Sequence, residues 1–281
     1  MALEPIGPVV VGVDGSAASR AAALLAADEA MAWVTPLVVV HAFDGWPPSR
    51  LAESIAADAV AEHPGLAVSF RVVPGEAARV LVRESRDASL LVVGHQRRPA
   101  PRHGPPIGGC VAEQLVRLST VPLMVHQPLA MDGEVELPRP VVVGVDGTPA
   151  AQSVVEFAFA EAALRGVPLI AMHVWSRPAD RSWTESRRTP FDPTDVDRGP
   201  DWSLSEAIDR WADKYPEVEV RKTVRHGLDA PVALTAASRS AQLTVIGAGG
   251  STAPVLLRRA AGPIAVVPAS AVAGVLEGSR P

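Results

Sequence analysis

Two aspartates, Asp14 and Asp146, each end a short apolar run and stand directly before a glycine. The runs are Val9-Val10-Val11-Gly12-Val13-Asp14-Gly15-Ser16 and Val141-Val142-Val143-Gly144-Val145-Asp146-Gly147-Thr148. A carboxylate at the end of a buried strand can accept hydrogen bonds from a ribose or from backbone amides. It can equally cap its own Asp-Gly turn, and both readings stay open here. Two further apolar runs, Leu91-Val92-Val93 and Thr244-Val245-Ile246, end in Gly94 and Gly247. Glycine there lets the backbone turn tightly or approach a ligand. After Gly247 the small residues Ala248-Gly249-Gly250-Ser251 lead to Thr252 and a helix start; after Gly94 the equivalent is delayed to Gly108-Gly109-Cys110. Free amides and the helix dipole at such a start attract an anion. A glycine-rich connector with no ligand is the alternative.

Other chemistry finds less support. His41 and His173 end the second strand of each half in register, and a structural hydrogen bond suits them better than metal ligation. No His-x3-His pair, cysteine pair or paired carboxylate spacing points to a metal. There is no Gly-x-Ser-x-Gly elbow and no Gly-x4-Gly-Lys loop. The single cysteine, Cys110, excludes an intrachain disulfide and suits a reducing compartment. Its place at a helix start can lower a thiol pKa, but no pattern of partner residues accompanies it. The net charge of −5 is mild and interspersed, which weighs against nucleic acid as the main partner. No apolar run approaches the roughly 20 residues of a membrane span. Glu4 and Pro5 stand where a signal peptide would carry positive charge, so a soluble cytoplasmic protein is expected.

The elements that must hold these residues repeat once along the 281 residues. In the first half, Val9–Val13, Leu37–His41, Leu66–Val73, Leu90–Val93 and Pro122–His126 read as buried strands. Helices are predicted between them over Ala17–Met31, Arg50–Glu62, Glu76–Arg86 and Cys110–Leu118. In the second half, strands are expected at Val141–Val145, Leu169–Val174, Val218–Val224, Leu243–Ile246 and Ile264–Val267. Helices follow the Thr148 cap and cover Glu206–Lys214, Leu228–Arg239 and Thr252–Ala260. Strands alternating with helices predict a doubly wound parallel sheet. The expected division is 1–130, a linker at 131–139, and 140–281. The polar stretch 176–201, which holds Trp183, reads as a mobile surface loop, with a binding lid as the alternative. Trp202 and Trp211 read as packing residues.

With these motifs in place, the chain resembles a tandem universal stress protein. The likeness rests on the paired Val-Asp-Gly starts, the Gly-ended fourth strands, Gly250-Ser251 before the last helix, and the closing Pro122-Leu123-Met124-Val125 and Pro263-Ile264-Ala265-Val266-Val267. It covers both halves apart from the linker, the long loop and the C-terminal tail. The resemblance implies an α/β fold of two tandem doubly wound five-stranded parallel sheets, order 3-2-1-4-5, adenine nucleotide alpha hydrolase-like. It also implies ATP binding, with Asp14 and Asp146 on the adenosine, Gly12 and Gly144 before them, and Ala42 and Val174 near the adenine. The family's phosphate motif is Gly-x2-Gly-x9-Gly-Ser/Thr. The first half answers it with Gly94, Arg97 in place of the second glycine, Gly109, and Cys110 where a hydroxyl is expected, at a spacing two residues too long. The second half has Gly247, Gly250, Ser251 and then Thr252, without the nine-residue loop. The implied function is a non-enzymatic regulator of the stress response that binds ATP, alone or with Mg2+. A nucleotide-free interaction module is the alternative, and a slow ATPase a more distant one. Pairing of the two final strands implies an intrachain pseudo-dimer; a homodimer and an unidentified regulatory protein partner remain open.

Overall fold

The valine-rich runs become inner strands of one ten-stranded sheet. The computed structural model describes residues 7–45, 50–95, 110–128, 138–148, 151–175, 200–226 and 229–269. The first half contains β1 (Val9–Gly12), α1 (Ala17–Ala32), β2 (Leu37–Phe43), α2 (Leu51–Glu62), β3 (Val68–Pro74), α3 (Ala77–Glu84), β4 (Leu90–Gly94), α4 (Val111–Leu118) and β5 (Leu123–His126). The second contains β6 (Val141–Val145), α5 (Ala151–Arg165), β7 (Leu169–Trp175), α6 (Pro200–Ala212), β8 (Val220–His226), α7 (Ala230–Ala237), β9 (Leu243–Gly247), α8 (Thr252–Arg259) and β10 (Ile264–Val267).

Strand order across the sheet is β3-β2-β1-β4-β5-β10-β9-β6-β7-β8. Each half has the order 3-2-1-4-5 in its own numbering, and its internal pairs are parallel. The two halves meet edge to edge, where β5 and β10 pair antiparallel with Ala265 opposite Met124. The two expected sheets are therefore one continuous sheet. Each half removes the other's open edge, which would otherwise offer a row of unpaired backbone groups.

Strand residues alternate between the two faces, so consecutive valines serve different cores. Val9, Val11, Val141 and Val143 pack with α1, α2, α5 and α6. Val10, Val38, Val40 and Val142 pack with α3, α4, α7 and α8. Burial on both faces explains the unbroken apolar runs.

α6 departs from the expectation. It begins at Pro200, inside the stretch read as loop, instead of at Glu206. Proline at a first helical position leaves no donor unsatisfied and presets φ, and Gly199-Pro200 carried that signal. Trp211 packs as expected, half-buried against the α1/α5 core with its indole N–H donating to Gln152 Oε1 at 3.3 Å. Trp202 lies in α6. Residues 176–199, with Trp183, lie outside the described residues, as does 131–137 of the linker.

Candidate functional site

The strand-two histidines pin the backbone that carries each aspartate. His41 Nδ1 lies 2.8 Å from the Val13 carbonyl, and His173 Nδ1 lies 2.7 Å from the Val145 carbonyl. In both halves an imidazole N–H thus donates to the residue just before the carboxylate, so these histidines are structural. Asp14 Oδ1 then accepts from the Ser16 backbone N–H at 2.9 Å. Asp146 Oδ1 accepts from the Thr148 N–H at 3.0 Å and the Thr148 hydroxyl at 2.7 Å. The intervening Gly15 and Gly147 have φ of +85° and +76°, a left-handed conformation that other residues adopt only at a cost. Each carboxylate therefore caps its turn through Oδ1, and among the described residues no hydrogen bond reaches Oδ2 of Asp146. Burial works against ionised Asp14, but hydrogen bonds from Ser16 and Ser19 outweigh it and hold its pKa below the usual carboxylate value. Ser16 in turn caps α1 by accepting from the Ser19 N–H at 3.1 Å.

The halves differ in what lies beyond that turn. In the second half a cavity of about 280 Å³ opens where the carboxyl ends of β6 and β9 face the start of α8. Gly144, Asp146, Val174, Gly247 and Thr252 all line it. This is the crevice where strand order reverses, the usual ligand position in an open α/β sheet. Gly250 (φ +77°) and Ser251 form the connection to α8 but do not line the cavity. Gly249 does line it, and so do Met172, Leu234 and Ile246 as apolar wall. Sequence reasoning missed Met172 although a signal existed: it lies two residues before Val174 in β7, and alternation puts both on one face.

Gly12 and Gly144 have a packing reason. A Cβ on Gly12 would come within 2.6 Å of Leu81 Cδ1, and one on Gly144 within 2.8 Å of Leu234 Cδ1. Gly94 and Gly247 occupy matching positions with different surroundings. A Cβ on Gly94 would sit 2.4 Å from the Ala18 carbonyl carbon and oxygen, so α1 presses directly on it. On Gly247 it would meet only Val154 Cγ2 at 3.5 Å, an ordinary contact. In the first half Cys110 precedes α4, and its sulfur lies 3.3 Å from His95 Nδ1, with His95 itself buried. Ala42 sits in β2 against the α3/α4 core. Arg97 and Gly109 lie outside the described residues. Among the described residues no group of three or more His, Cys, Asp or Glu side chains could hold a metal ion.

The family model for universal stress proteins matches the chain twice, at residues 5–127 and 138–268. A universal stress protein of Mycobacterium tuberculosis is 34% identical over 268 residues, covering 86% of this chain and 87% of its own. The chain belongs to the universal stress protein family. A universal stress protein of Mycolicibacterium smegmatis is 30% identical over 272 residues, with 86% and 87% coverage. The crystal structure of a universal stress protein from Archaeoglobus fulgidus superposes with a TM-score of 0.61 at 18% identity, covering 93% of this chain and 98% of that one. Both universal stress protein units thus keep the Asp-Gly turn and its histidine brace, while the described crevice belongs to the second. No helix among the described residues is long and apolar enough to cross a membrane.

Proposed function

We propose that this universal stress protein is a regulatory protein of the stress response that responds to an adenine nucleotide, held in the crevice of its second half. The observation that carries the reading is the cavity of about 280 Å³ between Asp146 and the start of α8. Its apolar walls suit a flat base, and Asp146 Oδ2 is left by the turn to accept from a sugar hydroxyl. The α8 amides supply the positive end of a helix dipole. ATP is the nucleotide that the family resemblance suggests, with Mg2+ as its counterion in solution. Binding would act by favouring one arrangement of the segments around the crevice, through differential affinity for two states. A cytoplasmic setting fits the single Cys110.

Titration calorimetry on the full chain tests this directly. Adenosine, AMP or ATP should give saturable binding. Asp146→Ala should weaken it about 10- to 100-fold, the loss of one hydrogen bond to a charged group at roughly 1.5–3 kcal/mol. Unaltered affinity in that variant removes Asp146 from the site.

A second reading has its own support in the first half. There the α1 backbone at Ala18 packs against Gly94, and Cys110 lies against His95 where a phosphate-binding hydroxyl is expected. That half serves as a nucleotide-free structural module and partner for the sheet. If no ligand binds and the melting temperature is unmoved at millimolar nucleotide, this description extends to the whole chain.

A further inference from the structure

We propose that the second-half crevice selects a nucleoside or nucleoside monophosphate and discriminates against a triphosphate. The inference rests on the nucleotide reading above and narrows its ligand class.

Charge is the first ground. Of the described residues lining the cavity, Asp146 alone is ionisable, and it is acidic; no Lys, Arg or His is among them. The cations of α8, Arg258 and Arg259, stand in its last turn, and Arg258 is paired with Glu113 at 3.3 Å. A phosphate chain would extend from the sugar with no counter-charge from these walls. Each added phosphate would also bring more negative charge towards the Asp146 carboxylate.

Backbone donors are the second ground. The connection between β9 and α8 is only Ala248, Gly249, Gly250 and Ser251, too short to fold over a chain of phosphates. The first four amides of a helix normally point free at its N-terminus. In α8 these positions are Ser251, Thr252, Ala253 and Pro254, and proline has no N–H. Three amides remain at this helix start, one fewer than usual, with no loop amides folded over them.

Volume is the third. Ligand pockets commonly span roughly 300–1,000 Å³. At about 280 Å³ this one falls just below that range, suited to a base and sugar. Met172, Val174, Leu234 and Ile246 give the base its apolar walls.

The test titrates the nucleotide-stripped full chain with adenosine, AMP and ATP, the last with and without Mg2+. Adenosine and AMP should bind within about tenfold of each other, and ATP at least about tenfold more weakly. Gly249→Lys supplies the missing cation. A Cβ there meets nothing within 4 Å, so the side chain has room. This variant should narrow the ATP-to-adenosine gap by about tenfold. ATP binding as tightly as AMP overturns the selectivity and leaves the crevice reading standing. A gap that Gly249→Lys does not narrow overturns the charge argument for it. Failure of all three ligands to bind overturns the nucleotide reading itself, and this inference with it.

Discussion

Arg165→Leu is expected to destabilise the protein by about 3–5 kcal/mol, measured as a lowered urea midpoint at unchanged slope. Arg165 ends α5 and lies between two carboxylates. Its Nη2 pairs with Glu29 of α1 and its Nη1 with Glu161 of α5, and Nη1 also donates to the Glu161 carbonyl at 3.3 Å. Glu161 is fully buried, and only 4% of the Glu29 side chain is exposed. Removing the arginine leaves two buried carboxyl groups facing each other without the guanidinium that pairs with both. Glu29 belongs to the first half and Arg165 to the second, so the damage falls where the halves join. The tilted stack of Trp33 on Phe157, centroids 6.0 Å apart, lies across the same junction. Replacing a whole buried ionic cluster by apolar residues of similar size is often neutral or stabilising. Glu29→Leu/Glu161→Leu/Arg165→Leu should therefore recover most of the loss. A single-variant loss under about 1 kcal/mol would mean that the pairs are not formed in solution.

That cluster shows where reading the sequence reached its limit. The strands were legible because burial on both faces forces unbroken β-branched runs, and Val9–Val11 and Val141–Val143 have no polar interruption. The histidine brace was legible because His41 and His173 recur at one register. The Asp-Gly turns were legible as turns, and capping and ligand contact need not compete, since each carboxylate has two oxygens. Charged residues on Ala-rich helices read as solvated ones, however. Nothing local in α1 marks Glu29 as buried, and its partner Arg165 lies 136 residues away in sequence. Gly94 has a packing reason of the same kind. Its place at a strand end suggests a ligand near the backbone, and the backbone of α1 at Ala18 also approaches it. Both features depend on contacts between elements, which periodicity does not encode. The second-half crevice was half visible: Asp146, Val174, Gly247 and Thr252 come from motif and register, but Leu234 of α7 needs the fold to place it.

The same buried cluster makes stability fall as pH rises, contrary to the behaviour of a surface carboxylate pair. Burial pushes the Glu29 carboxyl up to about 8; the neighbouring Glu161 charge adds to this, and Arg165 opposes both. Burial also raises Glu161 against the pull of Arg165 and, more weakly, of the Trp33 side chain. One guanidinium cannot satisfy two carboxylates here, so the folded protein holds a proton that the unfolded chain releases near pH 4.5. The folded state therefore binds more protons between those values. Its stability is fully present below about 4.5 and is lost as pH rises through about 8. The other charged groups close to this cluster leave that sign unaltered. Asp28, which Nε2 of His63 meets at 3.1 Å, pushes Glu29 in the same upward direction. Glu156 on α5 has its own partner in Lys214 at 3.1 Å. Apart from the cluster, His126 at the end of β5, whose pKa burial lowers, acts oppositely, but only below its ordinary value of 6.5. The window from pH 6.5 to 8 therefore isolates the cluster. One proton's difference gives a slope of about 1.4 kcal/mol per pH unit, a fall of about 2 kcal/mol across that window in urea titrations. Glu29→Gln keeps the shape, removes the ionisation, and should flatten most of the slope. A wild-type midpoint that is level or rising from pH 6.5 to 8 would show that both carboxylates stay ionised around Arg165.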